Sequence, residues 1–331
     1  MNRELARKVA DAVLYEGYML YPYRRSAIKN QQRWSFGILY PPAYEEVQSG
    51  TERSVLHSQC LLELKNDARL EIELRFLQLV QIGKDREEGI ERSIEFSMPV
   101  LSDWRSVPFT FPANSKIDTP RDDNGRAIET VHRTHQELSG TMTVLSEPLG
   151  DGVIKLTIEV INETRSALSG LDRTAALQRS LISAHMILSV TGAGFVSLLD
   201  PPEDVREAVS RCRNVGNFPV LVGEDGDRDM MLCSPIVLYD YPQIAPESAG
   251  DFYDATEMDE MLTLRVMTLT DEEKTEMRNS DERARDLLQR TEDTAREQLT
   301  RTHGTIRGLR PSTAAKEISL AERGKNARVE S

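Results

Sequence analysis

Residues 56–82 read LHSQCLLELKNDARLEIELRFLQLVQI, and their apolar positions recur with a period of two. Leu56, Cys60, Leu62 and Leu64 fall on one face of an extended segment. Leu70, Ile72, Leu74, Phe76, Val80 and Ile82 fall on one face of the next. A helix would bring its apolar residues round every three or four positions; strict alternation instead presses one face on a core and leaves the other to water. The pattern continues on both sides. Ile90, Ile94, Phe96 and Met98 share a face of a third strand, and Ile154, Leu156, Ile158 and Val160 a face of a fourth. Gly83-Lys84-Asp85 and Pro148-Leu149-Gly150-Asp151-Gly152 have the chemistry of hairpin connections between antiparallel neighbours.

Around this centre the period changes. Residues 4–16 read as an amphipathic helix through Leu5, Val9, Ala12 and Val13. After residue 165 the pattern shifts toward helix, with a buried helix expected at 173–188 and a short one at 202–212 after Pro201-Pro202. A strand pair follows near 219–222 and 230–239. Thr270-Asp271-Glu272-Glu273 has the spacing of a capping box and opens a charged helix whose apolar stripe, Met277, Ala284, Leu288, Ala295 and Leu299, is thin. From Gly304 the sequence is small, polar and unpatterned. The expected fold is therefore α+β. It comprises an N-terminal helix and aromatic segment (1–29), an antiparallel β-sandwich-like domain (30–165), a mixed α/β segment (166–269), a long charged helix (270–303) and a disordered tail (304–331).

Among 331 residues there are 54 acids and 41 bases, a net charge of −13, with 39 % apolar and 29 % charged residues. That balance opposes a broad nucleic-acid face, which needs clustered Lys and Arg, and leaves room only for a small local basic patch. Cys60, Cys212 and Cys233 are far apart and form neither a disulfide framework nor a zinc knuckle. Residues 180–199, SLISAHMILSVTGAGFVSLL, contain no Asp, Glu, Lys or Arg. The Gly192-Ala193-Gly194 break, His185 and the missing aromatic or basic anchors favour a buried helix and turn over a membrane span. A cytoplasmic protein is expected, since the N-terminus has charges where a secretory signal needs an apolar run.

Chemistry-bearing motifs are sparse. His132 and His135 are the one close histidine pair, and on a strand their spacing sends the rings to opposite faces, which suits a shared metal poorly. The Gly192-Ala193-Gly194 turn lacks the long helix that a dinucleotide fingerprint requires. Glu224-Asp225-Gly226-Asp227-Arg228-Asp229 departs from a calcium loop at its sixth position, Met230, and its twelfth, Ile236. No nucleophile elbow or phosphate-binding loop is present, so no catalytic residue and no cofactor are expected. From Glu224 to Glu260 there are eleven acids and one base, Arg228, a surface suited to a basic protein partner. Three tyrosine–proline corners, Tyr21-Pro22-Tyr23, Tyr40-Pro41-Pro42 and Tyr239-Asp240-Tyr241-Pro242, supply amphipathic rings of the kind that anchor interfaces. Tyr21, Tyr23, Tyr239, Asp240, Tyr241, Asp251 and Asp254 are the candidate partner-binding residues.

Several blocks together resemble a family. They are 13–24 (VLYEGYMLYPYR), 30–37 (NQQRWSFG), 75–79 (RFLQL), 234–248 (SPIVLYDYPQIAPES) and 262–274 (LTLRVMTLTDEEK). The chain is similar, from about residue 5 to about 292, to bacterial proteins encoded beside high-affinity uptake [NiFe]-hydrogenases. That family has no established reaction, so the resemblance implies no catalytic or binding residue. It implies an accessory role in hydrogenase assembly, maturation or docking, with hydrogenase subunits or maturation proteins as partners. The alternative is a metal-handling or enzymatic maturation factor built on His132, His135 and the acidic loop.

Overall fold

The computed structural model describes residues 2–15, 36–48, 52–83, 86–101, 104–118, 131–166 and 172–243, together with 274–275 and 288–289. Ten strands form one antiparallel sheet: β1 (Val55–Ile82), β2 (Arg86–Pro99), β3 (Arg105–Phe111), β4 (Asn114–Asp118), β5 (Val131–His135), β6 (Leu138–Gly150), β7 (Val153–Asn162), β8 (Ile182–Phe195), β9 (Phe218–Leu221) and β10 (Met230–Ser234). Among the described residues four short helices accompany them: α1 (Asn2–Tyr15), α2 (Pro42–Val47), α3 (Arg173–Leu177) and α4 (Arg206–Ser210).

The two strands expected within 56–82 are one. β1 runs for 28 residues, and its even-numbered side chains stay on the same face from Leu56 to Ile82. The charged stretch Lys65-Asn66-Asp67-Ala68 that separates the two apolar runs is an irregularity in the ladder with β8, between Leu64 and Arg69, rather than a turn. One edge of β1 pairs with β7 through Val55–Glu63 and with β2 through Arg69–Ile82. Its other edge pairs with β8 and, at Gln81 and Ile82, with β5. The strand order is β3-β6-β7-β1-β8-β10-β9, with β2 and the β4–β5 hairpin attached to the far half of β1.

The sheet curls back on itself. Even-numbered residues from both halves of β1 belong to one core with Met142 and Val144 of β6, Leu156 and Ile158 of β7, and Met186 and Leu188 of β8. Phe76, late in β1, meets Phe109 and Phe111 of β3 at ring-centroid distances of 6.2 and 5.7 Å, although two strands, β6 and β7, lie between them in the sheet order. The core therefore lies on the concave side. The helices pave parts of the convex side: Ala6, Val9 and Ala10 of α1 cover Ile187, Val220, Met230 and Leu232, and Val205 and Val209, at α4, cover Leu61 and Val196. Tyr40 and Tyr44 stack at 4.9 Å over Ala176 of α3.

These contacts correct the α+β expectation. The described residues are mostly antiparallel strand with short helices, and no long C-terminal helix is shown among them. Most of 270–303 and all of 304–331 lie outside the described residues. The buried helix expected at 173–188 is the five-residue α3, begun by Asp172 accepting from Ala175 N at 2.8 Å, followed by the central strand β8. β8 lies between β1 and β10, with the core on one face and α1 on the other. Both faces are therefore apolar, the period-two signature is erased, and the run reads like a buried helix. The expected core turn at Gly192-Ala193-Gly194 is also strand, with Gly192 held close to the backbone of Asp67. Among the described residues no helix is long and apolar enough to cross a membrane.

Candidate functional site

The segment after β10 crosses the edge strand β9 and forms a fixed corner. Asp240 is its clamp: Oδ1 accepts from Leu221 N at 2.7 Å and Oδ2 from Ser197 Oγ at 2.5 Å. Tyr241 N donates to Leu221 O at 2.8 Å, and the Tyr241 hydroxyl donates to the carbonyl of Asp227 at 3.0 Å. Partial burial raises the Tyr241 hydroxyl above its ordinary pKa, so it remains a donor at neutral pH. These bonds occupy the backbone groups an edge strand would otherwise present, and Pro219 removes one more donor. Ile236 and Leu238 turn inward against the α1 cluster. Val237 and Tyr239 alternate with them and point out, 73 % and 86 % exposed.

The neighbouring loop Glu224–Asp229 is tied to this corner through Tyr241. Glu224 N donates to Asp227 Oδ2 at 3.0 Å, which closes the turn. Arg228, the single base of the acidic stretch, is turned away from the acids, with Nη2 3.0 Å from Glu63 Oε2 and Nε donating to Phe195 O at 2.7 Å. Glu224, Asp225 and Asp229 are exposed. Of the candidate partner-binding residues, Tyr239 is therefore presented to solvent, while Asp240 and Tyr241 hold it in place. Tyr21, Tyr23, Asp251 and Asp254 lie outside the described residues. The corner at Tyr40-Pro41-Pro42 is internal, with Tyr40 buried.

The histidine pair does not converge. β5 pairs with β4 in unbroken register, His132 opposite Ile117 and His135 opposite Asn114, so the two rings leave opposite faces. His132 is exposed, and His135 lies against Gln78. The acidic loop packs near Glu63, toward the other end of β1 from Ile82, where β5 attaches. Among the described residues no group of three or more His, Cys, Asp and Glu side chains is gathered for a metal ion. The three cysteines are free thiols. Burial pushes the Cys60 thiol well up and the Cys233 thiol up to about 12, the latter despite a 3.3 Å contact with Ser58 Oγ, so neither is a nucleophile at neutral pH.

Two polar clusters are absent from the sequence-based expectations. Beneath α1, Arg75 meets Asp11 at 2.5 Å, Glu91 at 3.7 Å and Glu73 at 3.9 Å, while Arg7 bridges Glu73 and Glu95. His185, opposite Arg75 in the ladder, is fully buried and donates from Nδ1 to Ser183 O at 2.7 Å. Burial, reinforced by Arg75, pushes its pKa down to about 3, so the ring is neutral. At the far end of β1, Gln78 and Arg92 occupy core-facing positions and contact each other. The signal for this second cluster was present: 78 and 92 are polar gaps in the alternating apolar faces of their strands. The first cluster assembles residues from three distant segments, which no local pattern reveals.

Among the described residues this arrangement presents an anchored, outward-facing aromatic corner beside an acidic loop. A scan against family models finds no match for the chain, and a search of curated proteins finds none, so the geometry is what any functional reading must start from.

Proposed function

We propose that this chain is a non-catalytic accessory protein that works by protein–protein contact, with [NiFe]-hydrogenase subunits or maturation proteins as its partners in the cytoplasm. The sequence resemblance suggests the partner. The observation that favours contact over catalysis is the corner itself: Val237 and Tyr239 are held out to solvent by hydrogen bonds from Asp240 and Tyr241. Such an anchor loses little side-chain entropy on docking, and an aromatic ring beside exposed carboxylates suits a basic surface with an apolar recess.

Affinity purification of the tagged full chain from cells expressing the whole hydrogenase operon tests this reading. A hydrogenase subunit or maturation protein should co-purify with the wild type. Tyr239→Ala should lose most of that capture with stability unchanged to within about 0.5 kcal/mol, because the side chain is surface-exposed. Recovery of no such partner by wild type would overturn the proposal, and equal recovery by Tyr239→Ala would remove the corner from it.

A further inference from the structure

The apolar series on the inner faces of β1 and β2 are interrupted side by side at one place. Along β1 the core-facing series Leu70, Ile72, Leu74, Phe76 is followed by Gln78 before Val80 and Ile82. Along β2, Ile90, Ile94, Phe96 and Met98 leave a gap at Arg92, which lies directly opposite Phe76 in the ladder. The two interruptions meet: Arg92 Nε donates to Gln78 Oε1 at 2.9 Å. The guanidinium lies over the Phe111 ring, 4.9 Å from its centroid. Gln78 is buried, and its amide nitrogen donates to Gln136 O at 2.7 Å and lies 3.3 Å from His135 Nδ1. The Gln136 side-chain oxygen accepts from Arg179 Nη2 at 3.1 Å, and Arg179 Nη1 donates to Ala175 O at 3.2 Å.

Two guanidinium groups are thus fixed by neutral amide oxygens, and among the described residues neither has a carboxylate partner. Arg133 nearby is already matched with Glu88, and Arg75 and Arg7 are matched under α1. An inward-facing cation without a counter-charge is costly, and proteins retain such groups where a charge is to be received. Among the described residues Arg92 is hydrogen-bonded only at Nε, which leaves its two terminal nitrogens as donors.

We propose that this end of the curled sheet, built on Arg92 and Arg179 and braced by Gln78 and Gln136, binds a small oxyanion, a carboxylate or a phosphoryl group. The site is separate from the Tyr239 corner, and its fate does not depend on the docking proposal. Calorimetric titration of the full chain in low-salt buffer with inorganic phosphate, and separately with acetate, tests it. At least one probe should bind saturably with a Kd of about a millimolar or tighter. Arg92→Met should weaken that binding at least about tenfold, as loss of a charge-assisted fork requires, and Arg179→Met should weaken it too. Arg206→Met, on exposed α4, should leave it unchanged. Binding of phosphate alone assigns a phosphoryl ligand, and binding of acetate a carboxylate. If Arg92→Met does not fold by circular dichroism, the Arg179→Met result decides. The proposal fails if neither probe saturates by about 10 mM or if the arginine variants bind like wild type. In that event the inward charge on β2 serves only to guard an edge strand against pairing with another chain.

Discussion

His185 and Arg75 stand opposite each other between β8 and β1 with very different accounts of their charge. The Arg75 guanidinium is matched by Asp11, Glu91 and Glu73 around it. His185 has no carboxylate partner among the described residues and stays neutral, with burial as the dominant cause and Arg75 adding to it. Its pKa is about 3 in the folded chain against an ordinary 6.5. Between those values the unfolded chain binds a proton that the folded chain refuses, so this residue's contribution is complete above pH 6.5 and is lost progressively on acidification. From about pH 7.5 to about pH 5 the loss should be about 2 kcal/mol. The measurement is a difference, which cancels the groups that wild type and variant share: urea unfolding of wild type against His185→Gln at both pH values. The wild type should lose about 2 kcal/mol more than the variant, and parallel losses would show that His185 takes up its proton without unfolding.

Among the elements, β1 decides the fold, and it was only partly legible. Alternation from Leu56 to Leu64 and from Leu70 to Ile82 gave the correct inner face throughout. It could not show that Lys65–Ala68 stays in the strand, because charged residues between apolar runs look the same in a turn and in a ladder irregularity. β8 was illegible for the opposite reason: it is covered on both faces and has no polar phase to read. The candidate site divided along the same line. The block at 239–241 drew notice as tyrosine-rich, but which ring faces water depends on Asp240 reaching Ser197 and Leu221, contacts far away in sequence. Where β1 and β8 meet at the irregularity, Gly192 has φ +73°, and a Cβ there would sit 2.3 Å from Asp67 O. Neither strand can move without breaking the ladder on both sides. Gly192→Ala should cost about 3 kcal/mol, from left-handed strain together with overlap. Gly83→Ala, also at positive φ but with open space around it, should cost only about 1–2 kcal/mol. Equal costs in denaturant melts would mean that the backbone approach at Gly192 is not constraining.

At the scale of the whole molecule, what matters is that the sheet has no seam. β8 pairs with β1 from Leu62 to Leu77, so strands from the 30–165 and 166–269 segments share one ladder and one core. Ala184, Met186, Leu188 and Val190 fill that core from the C-terminal side of residue 165. A chain cut there would keep the β6–β7 and β1–β2 pairings but leave an edge of β1 unpaired and the concave face open. Exposed strand edge and apolar surface together favour association between chains. The ladders of β1 with β7 and β8, and of β3 with β6, also join distant parts of the sequence, which makes partial structures poor in contacts and the whole cooperative. The body formed by the described residues should therefore unfold in urea as one transition, coincident by far-UV circular dichroism and by tryptophan fluorescence, whereas a fragment ending at residue 165 should aggregate or melt without a sigmoidal step. A soluble 1–165 fragment with its own cooperative transition would show that the first half closes a core without β8, and the shared ladder would then be a docking of two folded units.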